Sequence, residues 1–200
     1  MLTFVSCWAR YKQLRYYLLV RVPTIIATDP NCALEGWEDS KQLIRRLLKL
    51  NYVTLLLVIA GLFGLVTLAN FPCNDAFTIH MIGAFLMCHT MLAYNVIQIH
   101  LCRTLWHRFG IESAPTTLTI GFAIQIASLL GLTVFSSISF LQFGIDRFFV
   151  YHERIHWSSG EPGYVYHVAG TGSEWLLLNA FVVSFWCFTR RMRHFDEWQY

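Results

Sequence analysis

The stretch that decides the fold runs from Tyr164 to Arg193 and reads YVYHVAGTGSEWLLLNAFVVSFWCFTRRMR. It opens on tyrosines, continues as a long apolar run and stops at three arginines, Arg190, Arg191 and Arg193. Tyr and Trp favour the membrane–water boundary, whereas Lys and Arg stay on the cytosolic side. The stretch therefore reads as a transmembrane helix that enters from a lumenal or extracellular face and leaves into the cytosol. Its unusual content is Glu174, an ionisable group inside the apolar run.

Working outward, the rest of the chain repeats the pattern. Of 200 residues, 56% are hydrophobic and 14% charged, and the mean hydropathy is +0.46. Soluble domains carry about 25% charged residues. The deficit is concentrated: no Lys, Arg, Asp or Glu falls between Lys49 and Asp75, between Asp75 and Arg103, or between Glu112 and Asp146. Each gap reaches the roughly 20 residues a helix needs to cross a bilayer. The reading is an all-α polytopic membrane protein with four complete transmembrane helices. They are expected at about 52–71, 78–101, 118–140 and 165–189, within a membrane domain covering 51–193 and followed by a cytosolic tail at 194–200.

Residues 1–50 are expected to be a stub of a preceding span followed by a cytosolic basic region. Met1 to Ala9 is apolar but too short to span, and Arg10 and Lys12 follow it as a cytosolic anchor would. Tyr16 to Val22 is interrupted by Arg21 and is expected to lie on the membrane surface. From Asp39, apolar residues at helical spacing (Leu43, Leu47, Leu48, Leu50) alternate with basic ones that suit the same surface.

Small residues mark where helices should approach. Gly61 and Gly64 share one side of the first full span. His80, Gly83, Ala84 and Met87 share a face of the second, and Ala123, Ala127 and Gly131 form a four-residue repeat on the third. Eight basic residues precede the first full span, none lies in the first loop, two lie in the second, two in the third and three follow the last span. The thirteen that share a side against two predict that both ends face the cytosol.

The order of short motifs resembles a known family. ARYKQL follows the apolar stub, ANF closes the first full span, His80-x-x-Gly83-Ala84 opens the second, and YVYH-x6-EW from Tyr164 to Trp175 opens the last. The chain is similar to the Frag/DRAM/Sfk group of six-span membrane proteins, nearest to its damage-regulated autophagy modulators. It also resembles the N-terminal part of the Cwh-type proteins and the branch that remodels GPI anchors. Against the six-span pattern the first span, the first lumenal loop and most of the second span are absent, so Met1 to Ala9 is expected to be a remnant. The resemblance implies a lysosomal or other endomembrane location, a role in promoting autophagy through unidentified membrane or autophagy proteins, and no established catalytic site. In the sister branches it implies work on GPI lipids or recruitment of a phosphoinositide kinase.

The intramembrane polar candidates are His80, His89, His167 and Glu174. Ionisable groups inside a span are functional hypotheses by default. His167 and Glu174 are seven residues apart and share a face, whereas His80 and His89 point to opposite sides of their helix. Glu174 is expected to meet Ser136 or Thr133 of the third span, or a water. An interhelical hydrogen bond, proton sensing in an acidic lumen and catalysis are its three readings. The last would make the chain a lipid-modifying enzyme, with His80, His167 and Glu174 converging on a lumenal cleft. A zinc site built from Asp75, His80, His152, His156 and His167 has suitable ligand types but no supporting spacing.

Cys73 is the one cysteine expected in a lumenal loop, so no disulfide framework is predicted, and Cys102 and Cys187 are candidates for palmitoylation. No Asn-x-Ser/Thr sequon occurs. Nucleophile elbow, P-loop, Rossmann and zincin motifs are all missing from the sequence, so no cofactor is expected. The basic residues trace the membrane boundary, which argues against nucleic acid and for the lipid bilayer as the main partner.

Overall fold

The structure is a computed structural model that describes residues 2–28, 35–73, 75–148, 150, 152–153, 156–193 and 195–197. Its elements are α1 (Leu2–Tyr16), a π-helical turn (Tyr17–Arg21), α2 (Val22–Thr28), α3 (Glu35–Asn70), α4 (Phe77–Phe109), α5 (Thr116–Phe143), the short α6 (Ile145–Phe148) and α7 (Tyr164–Met192). Among the described residues there is no strand. Four helices, α3, α4, α5 and α7, are long and apolar enough to cross a membrane, and the protein is a multi-pass helical membrane protein.

The outward surface explains the composition. Phe63, Val66, Ile82, Phe85, Leu130, Val165, Trp175 and Val182 are all exposed on these four helices. A soluble protein does not leave apolar side chains uncovered on this scale. Lipid is the solvent that makes such a surface favourable, and helices are the elements that satisfy their own backbone within it.

The bundle is built from two antiparallel pairs. α3 packs along α4, α5 packs along α7, and contact between the pairs is sparser. The first pair closes on Gly64 and Gly83. A Cβ on Gly64 would stand 2.7 Å from the Met87 amide nitrogen and 2.8 Å from the Gly83 carbonyl oxygen, and one on Gly83 would stand 2.9 Å from the Gly64 carbonyl. Backbone faces backbone here, so neither glycine tolerates a side chain without the helices parting. Gly61 lies on the same seam, against Thr90 and Met91, and Ala84 is half-buried beside it.

The second pair meets on a different face from the one its alanines mark. Ala123 and Ala127 are exposed, whereas Gly131 closely meets α7, where a Cβ on it would stand 2.8 Å from Ser173 Oγ. The seam is made by Gly121, Gln125, Ser128 and Ser139, which are buried. In a bilayer, small apolar residues are at no disadvantage facing lipid, whereas amides and hydroxyls gain from facing a partner helix, as Gln125 and Ser139 do by bonding Ser184 and the Gly163 carbonyl; the Ser128 hydroxyl is buried without a hydrogen bond among the described residues.

The first helix departs from the surface-lying arrangement expected of residues 16–22. α1, the π turn and α2 form one continuous rod that runs antiparallel to the first half of α3. Leu14, Leu18, Val22 and Ile26 bury against Leu47, Leu101, Leu105 and Ile111. The π turn has a local cause. Pro23 has no N–H to give the Leu19 carbonyl, and its ring would crowd that group. The chain widens just before it, with the Val22 N–H reaching the Tyr17 carbonyl.

α3 has 36 residues, about 54 Å at 1.5 Å per residue. That exceeds a hydrocarbon core of roughly 30 Å. Its first turns therefore stand beyond the spans and form a helical hairpin with the second half of α1, the π turn and α2, whereas the first half of α1 lies along the bundle, with Cys7 packed against Val58, Tyr94 and Phe188; α3 passes position 50 without a break. The C-terminal end of the described chain lies on this side, where Phe195 packs against Tyr16 and Tyr17 at 5.4 and 5.7 Å between ring centroids.

Candidate functional site

The most connected polar cluster sits where the hairpin joins the bundle, on the face that carries most of the basic residues. Arg10 of α1 is wholly buried, and all of its guanidinium nitrogens are used. Nε donates to Gln98 Oε1 of α4 at 3.4 Å, one terminal nitrogen donates to Gln13 Oε1 at 2.5 Å, and the other to Cys102 Sγ at 2.9 Å. Both terminal nitrogens also reach the Glu112 carboxylate, one of them at 2.9 Å from Oε2. The guanidinium carbon lies 6.0 Å from the centre of the Phe188 ring of α7.

Glu112 arrives there by an unusual turn. Gly110, at φ 61°, ends α4 in the left-handed region, and Glu112 itself has φ 70°. A non-glycine residue held in that region costs of order 1–3 kcal/mol. The turn aims the carboxylate inward between two arginines, where its side chain is 5% exposed. Arg191 of α7 donates to Glu112 Oε2 at 3.0 Å and to the carbonyls of Ser113 and Ala114 at 3.2 and 3.1 Å. Gln13 Nε2 closes the ring by donating to the Arg191 carbonyl at 3.1 Å. Burial alone would raise the Glu112 carboxyl, but the guanidiniums of Arg10 and Arg191 overturn this and hold it below the usual carboxylate range. The cluster ties α1, α4, the loop after α4 and α7 together at one end.

A second cluster lies deeper, inside the spans. Asn95 Nδ2 of α4 donates to Gln125 Oε1 of α5 at 2.9 Å. Gln125 Nε2 donates to Ser184 Oγ of α7 at 2.9 Å and to the Ala180 carbonyl at 3.1 Å. The first of these bonds bridges the two helix pairs, and the other two hold α5 to α7.

The polar residues singled out from the sequence are placed apart. His80 Nδ1 faces the Phe71 carbonyl at 2.8 Å, and His89 Nδ1 faces the Phe85 carbonyl at 2.8 Å on the exposed side of α4. His167 stacks on Trp157 at 4.7 Å between ring centroids. Glu174 is half-buried and makes no hydrogen bond or ion pair among the described residues. Its expected partners are otherwise engaged: the Thr133 hydroxyl donates to the Leu129 carbonyl at 2.8 Å, and Ser136 lies against Gly170. Cys88 and His167 are the groups near enough to feel its charge.

Among the described residues no three His, Cys, Asp or Glu side chains come together as a metal site; His152 and His156 stack on each other instead, at 4.2 Å between ring centroids. The two cysteines named for acylation are buried, Cys102 completely and inside the Arg10 shell, and Cys187 against Tyr94 and Phe188.

Arg10, Gln98, Glu112, Asn95 and Gln125 were not legible as a site. Arg10 reads as an exposed anchor, and Glu112 as one charge in a polar loop. The readable signal was Asn95 and Gln125, amides inside apolar runs that lipid cannot satisfy.

Comparison with known proteins agrees with the architecture. The family described as the Frag1/DRAM/Sfk1/Cwh43P N-terminal domain matches residues 1–195. The chain is 27% identical over 154 residues to DNA damage-regulated autophagy modulator protein 2 of Rattus norvegicus, and equally so to the proteins of that name from Mus musculus and Homo sapiens. In each case the match takes in 72% of this chain and 53% of the relative, so the chain spans about half the length of the curated relatives it matches. None of the solved structures matches it. With its four membrane-crossing helices and a family match along nearly its whole length, the chain belongs to the Frag1/DRAM/Sfk1/Cwh43P N-terminal domain family.

Proposed function

We propose that this protein modulates autophagy from an endolysosomal membrane, with both ends in the cytosol, and that it acts through partners rather than by catalysis. The observation that carries this reading is the similarity to relatives named as autophagy modulators, which extends over 72% of the chain. The distribution of charge supports the orientation. Arg45, Arg46, Lys49, Arg103, Arg108, Arg190 and Arg193 are exposed on the side of the chain ends, whereas Arg147 on the other side is held by Glu153 and Glu161 at 2.5 and 3.2 Å.

The chemistry of the buried clusters also favours a non-catalytic role. Arg10, Glu112 and Arg191 neutralise one another, and Gln125 is spent on helix contacts. Neither cluster leaves a group poised for proton transfer. The test is autophagic flux in cells lacking the protein, together with the location of a fluorescent fusion. Altered flux from lysosomal or endosomal membranes supports the proposal. Normal flux with defective display of GPI-anchored proteins moves the function to lipid remodelling.

A further inference from the structure

Helix α7 carries an amide that its own bundle does not use. Asn179 lies eleven residues before Arg190, about 16 Å along the helix and so near the middle of a hydrocarbon core of roughly 30 Å. Its Nδ2 donates to the Trp175 carbonyl at 2.8 Å, one turn back on the same helix. A primary amide has a second N–H and a carbonyl oxygen to place. Neither makes a hydrogen bond among the described residues, and the side chain is exposed. Asn95, Gln98 and Gln125, also within the spans, are buried and each bonds a second helix. The exposed hydroxyls of Thr133 and Ser137 spend their one N–H-like donor, the O–H, on the preceding turn. Asn179 alone among these groups leaves an amide oxygen and an N–H turned to lipid.

The residues around it have the spacing of a helix seam. Val168, Gly172, Trp175, Asn179, Val182 and Trp186 alternate steps of four and three, the repeat that keeps one stripe of a helix against a partner. Val168, Trp175, Val182 and Trp186 are 51–64% exposed, and a Cβ on Gly172 would meet nothing within 4 Å. The buried residues that hold α7 to the bundle, Gly170, Leu177, Phe181, Ser184 and Phe188, lie on the opposite side. Cys7 of α1 packs on that opposite side too, against Phe188.

We propose that this face of α7 pairs with the same face of a second copy of the chain, Asn179 against Asn179, across a two-fold axis normal to the membrane. A primary amide is its own complement, since each can donate its free N–H to the other's oxygen and both are then satisfied. A second copy inserted in the same sense brings its amide to the same depth, which an unrelated helix is not bound to do. Gly172 lets the two backbones approach, and one polar residue in an otherwise apolar seam fixes the register. Arg190 is the charged side chain of α7 on this side. It stands at the edge of the hydrocarbon, its guanidinium 5.0 Å from the centre of the Trp186 ring, and Arg193 follows past the helix end. Salt screens the repulsion between the two copies at that level.

The pairing does not depend on the role in autophagy. Its test uses the full chain, fluorescently labelled and reconstituted in phosphatidylcholine vesicles at falling protein-to-lipid ratios. Single-molecule photobleaching counts the copies that move together. Dimers should exceed chance co-occupancy, and Asn179→Leu should weaken dimerisation about tenfold, two interhelical bonds being lost. The unfolding midpoint of that variant in detergent should stay in place, because the side chain touches no other helix. A bis-maleimide should link two copies carrying Val182→Cys above the background of the unsubstituted chain. Phe63→Cys, at a position 67% exposed on α3, should not raise that background. Monomers at every ratio, undiminished dimers of Asn179→Leu, or equal linking through both cysteines would overturn the proposal. So would linking through position 182 to a different protein in cell membranes by a chain that stays monomeric in vesicles. None of these outcomes alters the flux measurement, so the two readings can fall separately.

Discussion

Glu112 and Glu174 are both carboxylates in an apolar chain, and the protein treats them in opposite ways. Glu112 sits in a loop, yet it is buried, bonded to two arginines and delivered by a left-handed backbone. Glu174 sits inside a membrane-crossing helix, yet it is half-exposed and has no ion pair among the described residues. A location in a span therefore does not by itself mark the residue on which the fold depends. What matters is whether the surrounding helices converge on the charge. Arginines from α1 and α7 converge on Glu112 beside Cys102 of α4, whereas no described side chain bonds Glu174.

The largest effect should come from breaking that convergence. Glu112→Gln leaves Arg10 buried without a counter-charge and should cost about 3–5 kcal/mol, read as a fall in the unfolding midpoint in detergent. Adding Arg10→Met removes the stranded cation and should recover much of the loss. A double variant as unstable as the single one would show that the pairing is not what matters. The same carboxyl sets an acid limit. Its folded pKa is depressed, so its contribution is present above the unfolded value of about 4.3 and is lost as pH falls through the lower folded value. Glu112→Gln should flatten this acid limb of the stability profile.

Next in size is the backbone contact of the first pair. Gly64→Val drives a side chain into the Met87 amide and the Gly83 carbonyl, and should cost about 1–3 kcal/mol by the same measurement. Gln125→Leu removes one bond that bridges the helix pairs and two that join α5 to α7. Interhelical hydrogen bonds in membranes contribute well under 2 kcal/mol each. The expected loss is about 1–2 kcal/mol, with increased labelling of cysteines placed between the pairs. Glu174→Gln should have the smallest effect, with an unchanged midpoint and unchanged abundance. A destabilisation matching that of Glu112→Gln would erase the contrast between the two carboxylates.

The amount that could be read in advance follows from the range of the interactions. Gly61, Gly64 and Gly83 were legible because close approach of two helices needs the absence of a side chain, and that shows in the residues themselves. The alanines at 123 and 127 misled because smallness permits contact without requiring it. Arg10 misled more strongly. An arginine after an apolar segment reads as a boundary marker, and nothing local reveals that Glu112, 102 residues later, waits to neutralise it. His80 and His167 were named as ionisable groups near one membrane face, but their side chains turn to a backbone carbonyl and a tryptophan.

By itself the sequence determined the class of solvent and the number of helices long and apolar enough to cross it. These depend on runs of residues and on local transfer energies, which sum along the chain regardless of partners. Only the tertiary structure decided that residues 14–26 pack in a hairpin against α3 and α4, and that Arg10 and Glu112 pair where that hairpin joins the bundle. Those outcomes depend on which distant side chains can satisfy a buried charge, a property of the assembled helices and of no single one.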